Sequence, residues 1–495
     1  METVVKSFQT SRGALLLIGS QLVAILAGFA IHVGLTRFLS PELYGLYAVT
    51  ISVLMWGELL ISGSIGMMFP KVLSEGSVSP TTIWRWVWRI YLPLWVALWL
   101  GFSVASWGIA VWMRDERLML LLLIAALELP FFGVYFSGRS LLQGLMAYGW
   151  QATVSSIWAL LRLICVFAFV IVTKSVFGAI AGNSLAVALT ALIAVAFVRP
   201  FLKGSETQTQ VSPLSLITGI GLPVLAITLL DQITLAMDLW ILKRLGQPEH
   251  AGFYGAARFF AFVPLMLSIG LYSAWFTGMC YELGRGERER AKSLMREAMR
   301  VLILGLLPFA TVVWVTAKPL SVLLFSSSFE PTSEPMKWLV VAISLFTFMG
   351  FMRGALIADN EMKLPIAVAV AVTALDFALC YLLIPRYEML GAAWATTIAS
   401  GFGLILMWVL AGLRFGDFMP WESLVRVGVA CFALWLFVSF WSVSGLMLLV
   451  QYLLVGVLYI LLLVFLGELK SSDWHVLRAV LAGIAKDATR AIKKV

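Results

Sequence analysis

Charge is what this sequence has least of. Only 12% of its 495 residues are charged, 61% are hydrophobic, and the mean hydropathy is +0.97. Soluble domains carry about 25% charged residues, so a water-soluble globule is excluded. Cysteine is nearly absent. Cys165, Cys280, Cys380 and Cys431 all fall in apolar segments, with neither metal-type spacing nor a disulfide framework. The three histidines, His32, His250 and His475, are scattered and make no ligand cluster. Walker A and Gly-rich dinucleotide fingerprints are missing, and no large extramembrane loop carries an acidic motif. These absences point away from an enzyme and from any cofactor or metal. The net charge of +9 would suggest nucleic acid in a soluble protein. Here most of the base lies in short loops, where it sets membrane topology, and nucleic acid is rejected as a partner.

What is present is a series of apolar runs of membrane-spanning length. Fourteen spans are expected, the first six near 13–36, 44–69, 83–112, 118–137, 150–172 and 176–198. After a polar linker at 203–212, the seventh and eighth form a hairpin around 231–260. The rest are expected near 301–325, 338–357, 364–384, 390–413, 425–443 and 446–466. Lys6 and Arg12 precede the first run, which is too long for a signal peptide and lacks a cleavage site. The tail at 471–495 reads differently. Trp474, Leu477, Leu481, Ile484 and Ala488 recur at helical spacing among basic residues, the pattern of an amphipathic helix on an anionic leaflet. With both ends on one side, that side collects 24 Lys and Arg and the other nine, leaving Arg162 and Arg258 within the membrane. Basic loops stay cytoplasmic, so both termini are expected there.

The hairpin at 231–260 concentrates the unusual chemistry. Asp231, Asp238 and Arg258 stand in apolar sequence, at a cost of about 3 kcal/mol each at mid-bilayer. Asp231 and Asp238 are seven residues apart and share a helix face. With a turn at Gly246-Gln247-Pro248, Asp238 and Arg258 each lie about 9–11 Å into their helices, and are expected to meet across the hairpin.

The sequence also repeats. Pro41-Glu42, Gly45 and Tyr47 recur as Pro248-Glu249, Gly252 and Tyr254, at an offset of 207. Arg139 with its following span matches Arg353 with its own, and Gly178-Ala179 matches Gly391-Ala392. This predicts a six-span half at 1–202, the linker at 203–212, a second half at 213–413, two extra spans at 414–470 and the tail. Parallel repeats with a site between them are a transporter signature. Asp238 and Arg258 align with Ile31 and Ile51, whereas Arg162 aligns with Asp376, of opposite sign. Glu58 and Glu128 add buried acids to the first half. A shared wet cavity would house all these charges.

Fourteen spans, two repeated halves and the loop Arg37-Phe38-Leu39-Ser40-Pro41-Glu42-Leu43-Tyr44-Gly45-Leu46-Tyr47 resemble the polysaccharide transporters of the MOP superfamily, among them the O-antigen (Wzx-type) flippases. The resemblance covers the chain apart from the tail, on a short motif. It implies an all-α integral membrane protein of about 14 helices. Two pseudo-symmetric six-helix bundles would form a V and work by alternating access. The implied substrate is an undecaprenyl-pyrophosphate-linked oligosaccharide, moved from the cytoplasmic to the periplasmic leaflet of a bacterial inner membrane for O-antigen, capsule or exopolysaccharide synthesis. Membrane lipids, a polysaccharide polymerase and assembly proteins are the implied partners. Such flippases keep positive charge in the cavity. Arg258 matches that role best and Arg162 second, with Asp238 beside them, because Arg suits bidentate phosphate contact. Ion coupling would fall to Asp231, Asp238, Glu58, Glu128 or Asp376. Two alternatives stand within the superfamily. A lipid II flippase is disfavoured because the first span lacks a buried Arg–Asp pair, offering only His32 before Arg37. A MATE-type cation-coupled drug exporter could use Asp231 or Asp238, but buried arginines suit organic cations poorly.

Overall fold

Apolar helices are one of only two ways to satisfy every backbone polar group within lipid, and every regular element among the described residues is helical. The computed structural model describes residues 2–74, 78–202, 222–441 and 443–469. The linker expected at 203–212 and the amphipathic tail expected at 471–495 lie outside the described residues.

The first half contains α1 (Glu2–Phe38), α2 (Pro41–Ser74), α3 (Pro80–Trp86), α4 (Leu92–Trp112), α5 (Arg117–Ala126), α6 (Glu128–Gly144), α7 (Tyr148–Thr173) and α8 (Val176–Val198). After the linker come α9 (Leu222–Leu245), α10 (His250–Ala261), α11 (Val263–Gly284), α12 (Arg288–Phe325), α13 (Ser333–Ala358), α14 (Lys363–Phe415), α15 (Trp421–Phe440) and α16 (Met447–Phe465). Twelve of the described helical stretches are long and apolar enough to cross a membrane. One of them, α14, is two helices joined at Glu388, whose φ of 50° and ψ of −124° break the ladder three residues after Pro385. The helix α9, 24 residues long, lies where the seventh span is expected and is not among those twelve. Every expected span therefore falls on a helix.

Proline explains where spans bend. A π segment, Val87–Tyr91, joins α3 to α4 just before Pro93, which has no N–H to give to the preceding turn. The fourth span breaks at Leu127, three residues before Pro130, whose ring would meet the preceding turn. This break puts Glu128 in the first turn of α6, where backbone N–H groups favour an acid. The eighth span breaks likewise at Phe262, before Pro264. The seventh-to-eighth turn falls at residues 246–249, as expected.

The chain divides into two compact units by contact. One comprises residues 1–261, 324–342 and 363–403, the other 262–323, 343–362 and 404–495. These units cut across the two sequence halves. In the first unit, α7 packs on α1 and α8, α6 packs on α2 and α8, and α2 also packs on α9 and α10. In the second, α15 packs on α16, and Leu434, Val438 and Val455 form a buried cluster with Val312 and Val315 against it.

The two copies of the repeated loop touch each other. A Cβ on Gly45 would lie 2.7 Å from the Gly252 backbone nitrogen, and one on Gly252 would lie 1.9 Å from the Pro41 carbonyl oxygen. One helical turn on, Gly255 faces the Ala48 methyl. Gly45 and Gly252, like Ala48 and Gly255, are repeat equivalents, so α2 and α10 cross at matching positions. Tyr44, Tyr47 and Tyr254 are fully buried beside this crossing.

Candidate functional site

Within the first unit, charged side chains of the apolar helices form two polar clusters. In the first, Arg162 on α7 donates from Nε to Asn183 Oδ1 on α8 at 2.6 Å. Asn183 Nδ2 donates in turn to Glu128 Oε2 on α6 at 2.7 Å. Glu128 is fully buried, with the Glu58 carboxyl of α2 beside it. Tyr47, three turns before Glu58 on the same face of α2, stands beside Arg162. The guanidinium lies over the Trp158 ring at 5.6 Å, and Trp158 stacks on Tyr135. Tyr47 Oη, Trp158 Nε1 and Glu128 Oε1 are buried without hydrogen-bond partners. Such unsatisfied buried atoms are rare and mark strained or functional places. His32 of α1 lies within the field of Arg162, receives or gives a hydrogen bond at Tyr44 Oη and stacks on Phe259 of α10 at 3.8 Å.

The second cluster is made of acids and hydroxyls. Asp238 on α9 is buried. It accepts from its neighbour Leu239 N at 2.6 Å, from Tyr254 Oη at 2.6 Å and from Thr396 Oγ1 at 3.3 Å. Asp376 on α14 is fully buried, faces Asp238, and takes a weak bond from Cys380 Sγ. The groups that bond the Asp238 carboxylate are thus a hydroxyl pair and a backbone N–H, rather than the Arg258 guanidinium expected across the hairpin. Tyr254, one helical turn before Arg258, already occupies the Asp238 carboxylate. Arg258 and Asp231 are both half-buried, on α10 and α9.

Sequence reasoning named Glu58, Glu128, Arg162, Asp238 and Asp376 but missed Asn183, Tyr47, Tyr254 and Thr396. The repeat carried the signal. Tyr254 follows Tyr47 by the offset of the repeated loop, and Thr396 follows Asn183 by the spacing that relates Gly178 to Gly391. Tyr47, Arg162 and Asn183 in one cluster thus stand where Tyr254, Asp376 and Thr396 stand in the other. The positions correspond and the charge is inverted.

A profile of the family described as polysaccharide biosynthesis protein matches residues 34–334. The chain belongs to this family. A relative of this chain is the probable lipid II flippase MurJ of Buchnera aphidicola subsp. Acyrthosiphon pisum (strain APS). It is 22% identical over 183 residues, covering 36% of each chain, so the match spans about a third of that relative's length. Among solved structures, a lipid II flippase MurJ in an inward closed conformation is similar with a TM-score of 0.74 and 13% identity, covering 92% of this chain and 99% of that one. An inward-facing multidrug resistance MATE family transporter of the MOP superfamily is similar with a TM-score of 0.66 and 13% identity, covering 82% and 98%. These likenesses establish the fold, an all-helical architecture shared with those two solved structures.

In this family member a further charged group sits outside the spans. A cavity of about 490 Å³ at the α4–α5 and α9–α10 loops is lined by Arg114, Arg117, Lys243 and Arg244 together with Asp115 and Glu116. Three of these cations are engaged. Lys243 Nζ bonds Asp115 at 2.8 Å, Arg117 bonds Asp115 and Glu42, and Arg244 bonds the Trp112 carbonyl and covers its ring. Burial works to raise the Asp115 carboxyl, but hydrogen bonds from Arg117 and Lys243 outweigh it and push it down to about 2. The cavity is therefore a salt-bridged joint between α9 and the first half.

Proposed function

We propose that this protein moves an undecaprenyl-pyrophosphate-linked oligosaccharide from the cytoplasmic to the periplasmic leaflet of a bacterial inner membrane by alternating access, supplying polysaccharide synthesis. The observation that carries the reading is Arg162, half-buried on α7 and held by Asn183 among apolar helices. An arginine so placed suits the pyrophosphate of a lipid-linked sugar, since its planar fork pairs bidentately with phosphate oxygens. Arg258, on the helix that crosses α2, is the second cation for the head group. The prenyl chain stays in lipid. Asp231, Asp238, Asp376, Glu58 and Glu128 are the carboxyls available for coupling to an ion gradient. Both termini lie in the cytoplasm on this reading, and a polymerase and assembly proteins take the product on the far side.

Two related readings share the fold. A lipid II flippase would handle the same pyrophosphate chemistry with a different sugar. A drug exporter would need an acidic pocket open to organic cations, whereas the Asp238 carboxylate is already engaged by Tyr254 and Thr396. The test uses the purified full-length protein in liposomes, with fluorescent undecaprenyl-pyrophosphate oligosaccharide, lipid II and a cationic dye as parallel probes. Leaflet transfer of the oligosaccharide without dye accumulation is expected. Arg162→Ala and Arg258→Ala should each abolish transfer, with partial rescue by Lys at either position because charge returns without the fork. Dye transport that Asp238→Asn abolishes would overturn the proposal in favour of an exporter.

A further inference from the structure

Glu128 Oε1 is fully buried and meets no donor. The group it faces is the Glu58 carboxyl, itself an acceptor when ionised. The groups that face this pair from the packed helices are few. They are Tyr47 on α2, Tyr135 on α6 with Arg139 beyond it, Arg162 on α7, Asn183 on α8 and, behind Arg162, His32 on α1. The helix α4, also packed on α6, carries no charged residue. Two carboxylates and one nearby guanidinium leave the cluster with one excess negative charge in a place where charge is costly. One proton removes that excess and turns two opposed acceptors into a donor and an acceptor.

We propose that the facing Glu58 and Glu128 carboxyls form a proton-binding site whose occupancy sets the charge that Arg162 presents to an anion. Glu128 is sealed, while Glu58 is half-buried and provides the way in. Without the proton, the two carboxylates outweigh Arg162, and an anionic head group is repelled. With the proton, the cluster is neutral and the guanidinium can accept an anion. Proton uptake and anion binding therefore favour each other, and the linkage is reciprocal. A metal ion fits poorly. The guanidinium would repel it, Asn183 Oδ1 is taken by Arg162, and its Nδ2 faces Glu128 as a donor. No group of three His, Cys, Asp or Glu side chains placed to hold a metal occurs among the described residues.

The second half of the idea rests on the flippase reading; the first does not, and the test separates them. Infrared spectra of the full-length protein in lipid, recorded across a pH titration, should show the C=O band of a protonated carboxyl that shifts in D2O. The band should be lost in Glu58→Gln and in Glu128→Gln, and should be unchanged when sodium replaces potassium. A titrating band untouched by both Gln variants, or one that sodium displaces, overturns the proton site. Glu58→Gln changes the less buried partner, so it keeps the test available if Glu128→Gln folds poorly. In liposomes, transfer of fluorescent undecaprenyl-pyrophosphate oligosaccharide should move protons read by a pH-sensitive dye, and Glu58→Gln should transfer sugar without that signal. A proton signal that survives both Gln variants refutes the linkage. A band without any sugar transfer refutes the substrate while leaving the proton site standing.

Discussion

Gly252→Ala is the sharpest perturbation the fold offers. The added methyl would stand 1.9 Å from the Pro41 carbonyl oxygen and 2.7 Å from its carbon. A carbon-to-oxygen contact is normally about 3.3 Å or longer, so α10 and α2 must part by about 1.4 Å at their crossing. Both sides are backbone, and no rotamer can relieve the clash. Overpacking costs about 1–3 kcal/mol where side chains can adjust, so the upper end is expected here. Gly45→Ala meets the Gly252 nitrogen at 2.7 Å and should cost less. Gly270 and Gly305 have nothing within 4 Å of a built Cβ. Alanine there should be neutral, or stabilising by up to about 1 kcal/mol from helix propensity. Thermal unfolding of the purified full-length variants in lipid nanodiscs should rank Gly252→Ala lowest, then Gly45→Ala, then wild type. A Gly252→Ala protein that melts with wild type would refute the close crossing of the two repeated loops.

The other outcomes concern the charged joints and the orientation. Asp115→Asn strands Lys243, whose side chain is only 4% exposed, and should cost about 3 kcal/mol or more; the half-exposed Arg117 arm adds less than about 1 kcal/mol, and Lys243→Met in the same background should recover part of the loss in a double-mutant cycle. Because Asp115 is depressed, its contribution is complete above the ordinary aspartate range and is lost as pH falls through about 2, which acid melts of wild type against Asp115→Asn will show. In the second unit, Glu468 is buried. Burial works to raise its carboxyl, but hydrogen bonds from Arg300 at 2.7 Å and Ser423 at 2.7 Å, with the nearby Arg426, hold it below the usual range. Glu468→Gln should lower the melting temperature at neutral pH, and the difference from wild type should shrink as acid protonates the native carboxyl; an unchanged difference contradicts the assignment. In a cysteine-free background, a thiol at Glu287 should label from the cytoplasm and one at Ser327 from the periplasm, and the reverse pattern would overturn the orientation drawn from 24 basic residues against nine.

The sequence by itself determined what depends on neighbours along the chain. Apolar run length set the spans, Gly246-Gln247-Pro248 set the α9–α10 turn, and the scarcity of charge made each buried acid and arginine conspicuous. Each of these is a local property, because a span must satisfy its own backbone within lipid. Tertiary structure alone decided which charges meet. Asp238 and Arg258 seemed matched by depth across one hairpin, yet Asp238 is taken by Tyr254 and by Thr396, 158 residues away in sequence. Arg162 reaches Glu128 only through Asn183, which joins α7, α8 and α6 across separations of 21 and 55 residues. Periodicity gives the face of one helix but not the rotation of its neighbour, and a turn of one residue moves a side chain by about 100°. The repeat could mark Tyr47 with Tyr254 and Asn183 with Thr396 as equivalent. Only the packing of α2 on α6, α9 and α10 shows that the repeated glycines touch and that each tyrosine closes on a buried acid or arginine.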